Sequence, residues 1–139
     1  MKIVVSACLL GENCKYNGGN NFSPAVAEFI KGKEVIAVCP EMLAGLGVPR
    51  TPIEIVNGVV YDRNGNCVDA PLREAVGRIL AQLEGQDISC VILKSRSPTC
   101  GVKQVYDGTF SGKLVDGMGV LAAALQEKGY QVLDSEDFA

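Results

Sequence analysis

The sequence predicts an α/β fold of three layers, with a mostly parallel sheet of about four strands and an added β-hairpin. Three observations carry this. Short apolar runs, Ile3-Val4-Val5, Ile36-Ala37-Val38 and Val91-Ile92-Leu93, read as strands buried on both faces. Helical segments alternate with them, the pattern of βαβ units. Asn57-Gly58 between two β-rich arms is a strong hairpin signal.

Each element follows in order. Residues 2–7 form the first strand, and the Gly- and Asn-rich residues 11–21 a loop. Ser23 can cap a short helix that has Pro24 at its first position and ends near Lys31-Gly32. Residues 34–38 are the second strand. Residues 39–52 hold three prolines and two glycines, which admit no more than one helical turn, at 41–46. The hairpin spans 53–61, and 62–66 is a loop. Asp69-Ala70-Pro71 opens the main helix, whose Leu72, Ala75, Val76, Ile79, Leu80 and Leu83 recur at helical spacing and whose end is near Gly85. Residues 88–93 are the third strand. Residues 94–114 read as a loop with a turn at Tyr106-Asp107-Gly108. A last helix covers 120–126, its start placed as early as Asp116, and 130–133 is the final strand. Right-handed crossovers put helices on both sheet faces, a Rossmann-like arrangement. With no repeat and no low-complexity tract, residues 1–139 read as a single domain.

Composition narrows the function classes. The net charge of −3 and a pI near 4.9 provide no basic field, which argues against a nucleic-acid partner. Histidine is absent, so the commonest general base and neutral metal ligand are missing. The N-terminus lacks the apolar core of a signal peptide, and no run approaches the ~20 apolar residues of a membrane span. The reading is a cytoplasmic protein without a membrane partner, either monomer or homodimer. In that compartment six cysteines point to metal or catalysis rather than disulfides.

Three cysteines stand where strands give way to loops: Cys8, Cys39 and Cys100. In an open α/β sheet ligands bind outside the carboxyl ends of the strands. Three loops converging there can supply three ligands and leave a fourth position open, as reactive metals require. No CxxC pair occurs, so a structural zinc site has little support, and spacing alone names no metal. Cys14 is a further thiol nearby. Glu41 can serve as acid or base in place of histidine, and Ser97 and Thr99 put hydroxyls beside Cys100. Lys94, Arg96 and Arg50 can bind an anion or lower thiol pKa values, and Asn17, Asn20 and Asn21 can hydrogen-bond a polar ring. Cys67 and Cys90 read as small buried hydrophobes.

Three motif blocks then carry a specific resemblance. They are Ser6-Ala7-Cys8-Leu9-Leu10-Gly11 with Cys14-Lys15-Tyr16, Cys39-Pro40-Glu41 with Pro49-Arg50-Thr51-Pro52-Ile53-Glu54, and Ser97-Pro98-Thr99-Cys100-Gly101 with Tyr106-Asp107-Gly108-Thr109-Phe110. In this order, over nearly the whole chain, they resemble the thiouracil desulfidase family. Lys15 and Asn17 depart from it, standing where many relatives carry arginine and aspartate. The resemblance implies an enzyme that takes sulfur from a thiolated pyrimidine by non-redox hydrolysis at the free iron of a [4Fe-4S] cluster. It implies Cys8, Cys39 and Cys100 as cluster ligands, with Cys14 as a substitute for one of them. It implies Glu41 as acid/base, Ser97 as a substrate or proton-transfer residue, and a small-molecule thiolated base as partner. The cluster can be absent from protein purified in air. Two alternatives stand beside this reading: a non-catalytic metal- or cluster-binding redox sensor, and a metal-free thiol enzyme.

Overall fold

The two inner strands of the main sheet bury side chains on both faces, and helical layers are built against the sheet on either side. The structure, a computed structural model, describes residues 1–138; Ala139, the last residue of the expected 1–139 domain, lies outside the described residues. The elements run β1 (Lys2–Ser6), a 3-10 turn (Ala7–Leu10), α1 (Pro24–Ile30), β2 (Glu34–Val38), α2 (Pro40–Leu43), β3 (Ile53–Val56), β4 (Val59–Asp62), α3 (Asp69–Leu83), β5 (Ile88–Leu93), β6 (Gln104–Tyr106), β7 (Leu114–Asp116), α4 (Val120–Glu127), β8 (Val132–Asp134) and a C-terminal 3-10 turn (Ser135–Phe138).

Four strands form one sheet in the order β2-β1-β5-β8, and every pairing within it is parallel. Side chains alternate across it, as strand geometry requires. Val4, Val91 and Leu93 face α3 and α4, where Leu72, Ile79, Leu83, Leu121 and Leu125 complete the larger core. Ile3, Val5, Cys90 and Ile92 face the other way, toward Val26 of α1 and Leu9. Three layers result. Each fully buried leucine or isoleucine contributes about 2 kcal/mol by burial, and Ile79→Ala, in the centre of α3, removes one such anchor.

The local signals act as expected at most ends. Ser23 accepts a hydrogen bond from the Val26 amide, 3.2 Å, and Pro24 opens α1. Gly85, at φ 79°, follows α3. Asn57 and Gly58 both take positive φ in the β3–β4 hairpin, as a two-residue turn of this kind demands.

Three expectations fail. The stretch 94–114 is not all loop, because β6 and β7 pair antiparallel within and beyond it. Each strand is only three residues long, too short to show alternation in the sequence. Helix α4 starts at Val120 rather than near Asp116, because Asp116 pairs with Gln104 at the end of that hairpin. The last strand is also displaced by two residues at its start, to Val132.

The strand order has a consequence for function. From β1 the chain crosses outward to β2, then returns past β1 to β5. The crossovers therefore diverge between β1 and β5, and the crevice outside the carboxyl ends of these two strands is where open α/β sheets bind ligands. Among the described residues no helix is long and apolar enough to cross a membrane.

Candidate active site

The crevice is real. A cavity of about 480 Å³ opens at the carboxyl ends of β1, β2 and β5. Its walls include Cys8, Cys14, Cys39, Cys100, Glu41 and Ser97. The four thiols, the acid/base candidate and the Ser97 hydroxyl thus meet the same space.

Each is delivered by local structure. Ser6 ends β1, and its hydroxyl accepts from the Lys94 amide of the neighbouring strand end, 3.0 Å. Cys8 follows in the 3-10 turn, which Gly11 closes in a left-handed conformation at φ 94°. Cys39 directly follows β2 and is the N-cap of α2, with Pro40 at the first helical position. Glu41 lies in that first turn. Cys100 closes the turn after β5: the Ser97 hydroxyl accepts from the amides of Thr99, 3.2 Å, and Cys100, 3.1 Å, and Ser97 O accepts from the Gly101 amide, 2.8 Å.

This turn also supports α4. The amides of Val120 and Leu121 donate to the carbonyls of Pro98, 3.0 Å, and Thr99, 2.8 Å. The free amides that begin every helix are thereby satisfied by the segment that carries Cys100. Gly119 allows this approach. A Cβ there would lie 2.4 Å from the Thr99 carbonyl carbon and 2.7 Å from the Cys100 nitrogen.

Glu41 is held from two sides. Thr99 Oγ1 donates to its Oε1 at 2.7 Å, and Arg50 Nη2 stands 3.6 Å from Oε2. Both members of the ion pair are largely withdrawn from solvent, with side-chain exposures of 9% for Arg50 and 14% for Glu41. Arg50 also donates to the carbonyls of Cys14 and Gly47, each at 2.9 Å. Since Thr99 gives its proton to the carboxylate, the Ser97 hydroxyl, 3.0 Å away, is left to donate to Thr99. Ser97, Thr99 and Glu41 form one line of hydroxyls ending on a carboxylate. In the sequence Thr99 is only a hydroxyl beside Cys100; its place between Ser97 and Glu41 comes from the fold.

The electrostatics of the thiols run against one expectation. Lys94 and Arg50 do act to lower the pKa values of Cys8 and Cys14, but burial outweighs them and both thiols are raised. Burial and the nearby Glu41 carboxylate raise Cys39 strongly and push Cys100 up to about 12. Such thiols are poor free nucleophiles at neutral pH, which weighs against the metal-free thiol enzyme. Lys94 is itself lowered by burial and donates to the carbonyl and hydroxyl of Ser95.

Other expectations separate on inspection. Asn17 and Asn20 shape their own loop, accepting from the amides of Gly19, 2.9 Å, and Phe22, 3.0 Å; of the three asparagines only Asn21 lines the cavity. Arg96 lines the cavity but its guanidinium pairs with Glu136 at 2.8 Å. Cys90 is buried as expected, whereas Cys67 is exposed, because it follows the β4 turn at the surface and bridges only to Tyr61.

Among the described residues no three Cys, Asp or Glu side chains stand close enough to grip a single metal ion. The donor set is nevertheless distinctive. It is all thiol, without histidine, and it comes from three separate strand ends around one cavity. Iron–sulfur clusters take thiolate ligands of this kind.

The family model for 2-thiouracil desulfurase matches residues 3–137. The chain belongs to the 2-thiouracil desulfurase family. It is 37% identical to the uncharacterized protein YbbK of Bacillus subtilis (strain 168), over 97% of this chain and 96% of that protein. Among solved structures it is similar to the [4Fe-4S]-dependent thiouracil desulfidase TudS, with a TM-score of 0.90 and 33% identity over 98% of this chain and 91% of that one. The desulfurase family is one of enzymes, and the α/β fold expected from the sequence is the fold of TudS.

Proposed function

We propose that this chain hydrolyses a thiolated pyrimidine of the 2-thiouracil type, replacing the ring sulfur by oxygen and releasing sulfide. The reading extends to a single cytoplasmic domain with a [4Fe-4S] cluster on Cys8, Cys39 and Cys100. The observation that carries it is the gathering of these thiols, with Glu41 and Ser97, around one cavity at the divergence of the crossovers.

The overall change is balanced by water alone: base thiocarbonyl and water give base carbonyl and hydrogen sulfide, with no electron gained or lost. When bound, the cluster would supply a thiophilic Lewis acid, selective for sulfur over oxygen. Everything else falls to the chain. Glu41 is the acid/base. Its carboxylate faces the cavity and is held in place by Thr99 and Arg50, so its oxygens are already oriented before water or substrate arrives. Ser97 can pass a proton toward Glu41 through the Thr99 hydroxyl, or take one back along the same line. Cys14 supplies a further thiol at the cavity wall, available as a substitute ligand. Burial favours the neutral form of Cys8 and Cys100, so these thiols would have to give up protons to hold a cluster, and binding would be coupled to proton release.

Anaerobic reconstitution with iron and sulfide, followed by sulfide release from 2-thiouracil and 4-thiouracil, tests the reading. Wild type is expected to turn brown and release sulfide. Cys8→Ala, Cys39→Ala and Cys100→Ala are each expected to lose the visible absorption. If all three variants still assemble a cluster, the ligand set is wrong; if the loaded wild type releases no sulfide, the substrate class is wrong.

A further inference from the structure

Glu54 is a buried acid that the proposed chemistry does not use. It lies in β3, is 7% exposed, and belongs to the cavity wall. Its Oε1 accepts from two backbone amides of a distant loop, Gly108 at 2.9 Å and Phe110 at 3.2 Å. That loop joins β6 to β7; the Asp107 amide donates to the Lys113 carbonyl at its base, 2.9 Å, and Asp107 accepts from the amide and hydroxyl of Thr109 within it.

The loop is held in an unusual form. Phe110 has φ 57°, a left-handed backbone that a bulky residue avoids. Gly108, at φ 93°, lies so near β3 that a Cβ would stand 2.6 Å from the Ile55 carbonyl oxygen. A strained aromatic residue beside a cavity persists only when its surroundings impose it. Here Asp107 shapes the turn at Thr109 from within, and the Glu54 carboxylate ties the amides on either side of Thr109 to the cavity wall. The outcome is that Phe110 lines the cavity, whose wall also includes Tyr106.

We propose that Glu54 is a positioning residue that holds Phe110 as a flat wall against which the heteroaromatic ring of the substrate stacks. The inference rests on the thiolated-pyrimidine reading and deepens it: it assigns recognition of the ring, as distinct from its sulfur, to the β6–β7 loop. An aromatic face suits any planar base, so this wall sets the class of substrate rather than the position of the sulfur.

The test is steady-state sulfide release from 2-thiouracil by the reconstituted enzyme, together with calorimetric binding of uracil, which has no sulfur to be removed. Phe110→Ala is expected to raise KM about tenfold with kcat within about twofold, and to weaken uracil binding in parallel. Phe110→Tyr should keep both near wild type. Glu54→Ala should reproduce the Phe110→Ala effect, and the double variant should be no worse than either alone, because one residue acts through the other. Glu54→Gln, whose amide oxygen can accept both hydrogen bonds, should restore KM. Phe110→Gly suits the left-handed backbone and removes the ring, so it carries the test even if Glu54→Ala does not fold. Unchanged KM in Phe110→Gly and Phe110→Ala, or additive effects in the double variant, overturns the inference while leaving the functional reading intact. A wild type that neither turns over a thiolated pyrimidine nor binds uracil overturns both.

Discussion

Thr99 Oγ1 donates a 2.7 Å hydrogen bond to Glu41 Oε1 across 58 residues of sequence. It joins the turn after β5 to the first turn of α2, and so ties the end of one strand to the end of another. Thr99 is fully buried, and the same hydroxyl stands 3.7 Å from Cys100 Sγ.

Removing that hydroxyl should matter more than removing its methyl group. A hydrogen bond to a charged group contributes about 1.5–3 kcal/mol. Thr99→Val is therefore expected to lower stability by about 2 kcal/mol and kcat by about tenfold, measured by urea unfolding and sulfide release. Thr99→Ser should recover most of both. Equal activity in the valine and serine variants would show that the hydroxyl has no part in the reaction.

Arg50 fastens three elements at once: the Cys14 carbonyl, the Gly47 carbonyl and Glu41. Breaking a largely buried ion pair from one side leaves the other charge uncompensated. Arg50→Ala should cost about 3 kcal/mol in urea unfolding of the metal-free protein. Arg50→Lys should recover only part, because an ammonium group cannot reproduce the fork that grips two carbonyls. Full recovery by lysine would mean that charge alone is at work.

Gly119→Ala tests the contact between α4 and the Cys100 turn. The added methyl would overlap backbone atoms of Thr99 and Cys100, which cannot move as a side chain does. The variant is expected to lose about 2 kcal/mol or more of stability and to take up less iron under reconstitution. Gly77→Ala, at a helix position where a Cβ meets nothing within 4 Å, is the control and should be neutral or slightly stabilising. Iron content equal in the two variants would sink the claim.

Asp107 gives a pH dependence of known sign. The hydroxyl and amide of Thr109 hold its carboxyl below the ordinary value of 3.8. A depressed carboxylate stabilises the fold above that value, and the contribution is lost as pH falls through the folded pKa. The β6–β7 loop should therefore loosen below about pH 4. Titration of the Asp107 carboxyl by NMR, with exchange of the Thr109 amide, reads this directly; a carboxyl that titrates at or above 3.8 contradicts it.

Much of this was legible from residues alone. The buried strands announced themselves because both faces are apolar, and the three thiols because each sits where such a strand stops. What stayed hidden depends on contacts between distant segments. Arg50 reads in sequence as a cation able to bind an anion or lower a thiol pKa; only the fold brings it to Glu41 and the Cys14 carbonyl. Thr99 looks like a turn residue until α2 places a carboxylate beside it. Strands β6 and β7 are too short for periodicity to register, so the loop they hold, with Phe110, could not be placed at the cavity. Cys67 was misjudged because composition says how often cysteine is buried, not where the β4 turn leaves this one.

The turn that presents Cys100 is already braced by the backbone of α4, and Cys39 is already set at the start of a helix. If the proposed cluster is held there, these braces would leave it little ordering to impose. Its removal would then be expected to leave an intact, refillable vessel rather than an unravelled chain, open to repair by reloading.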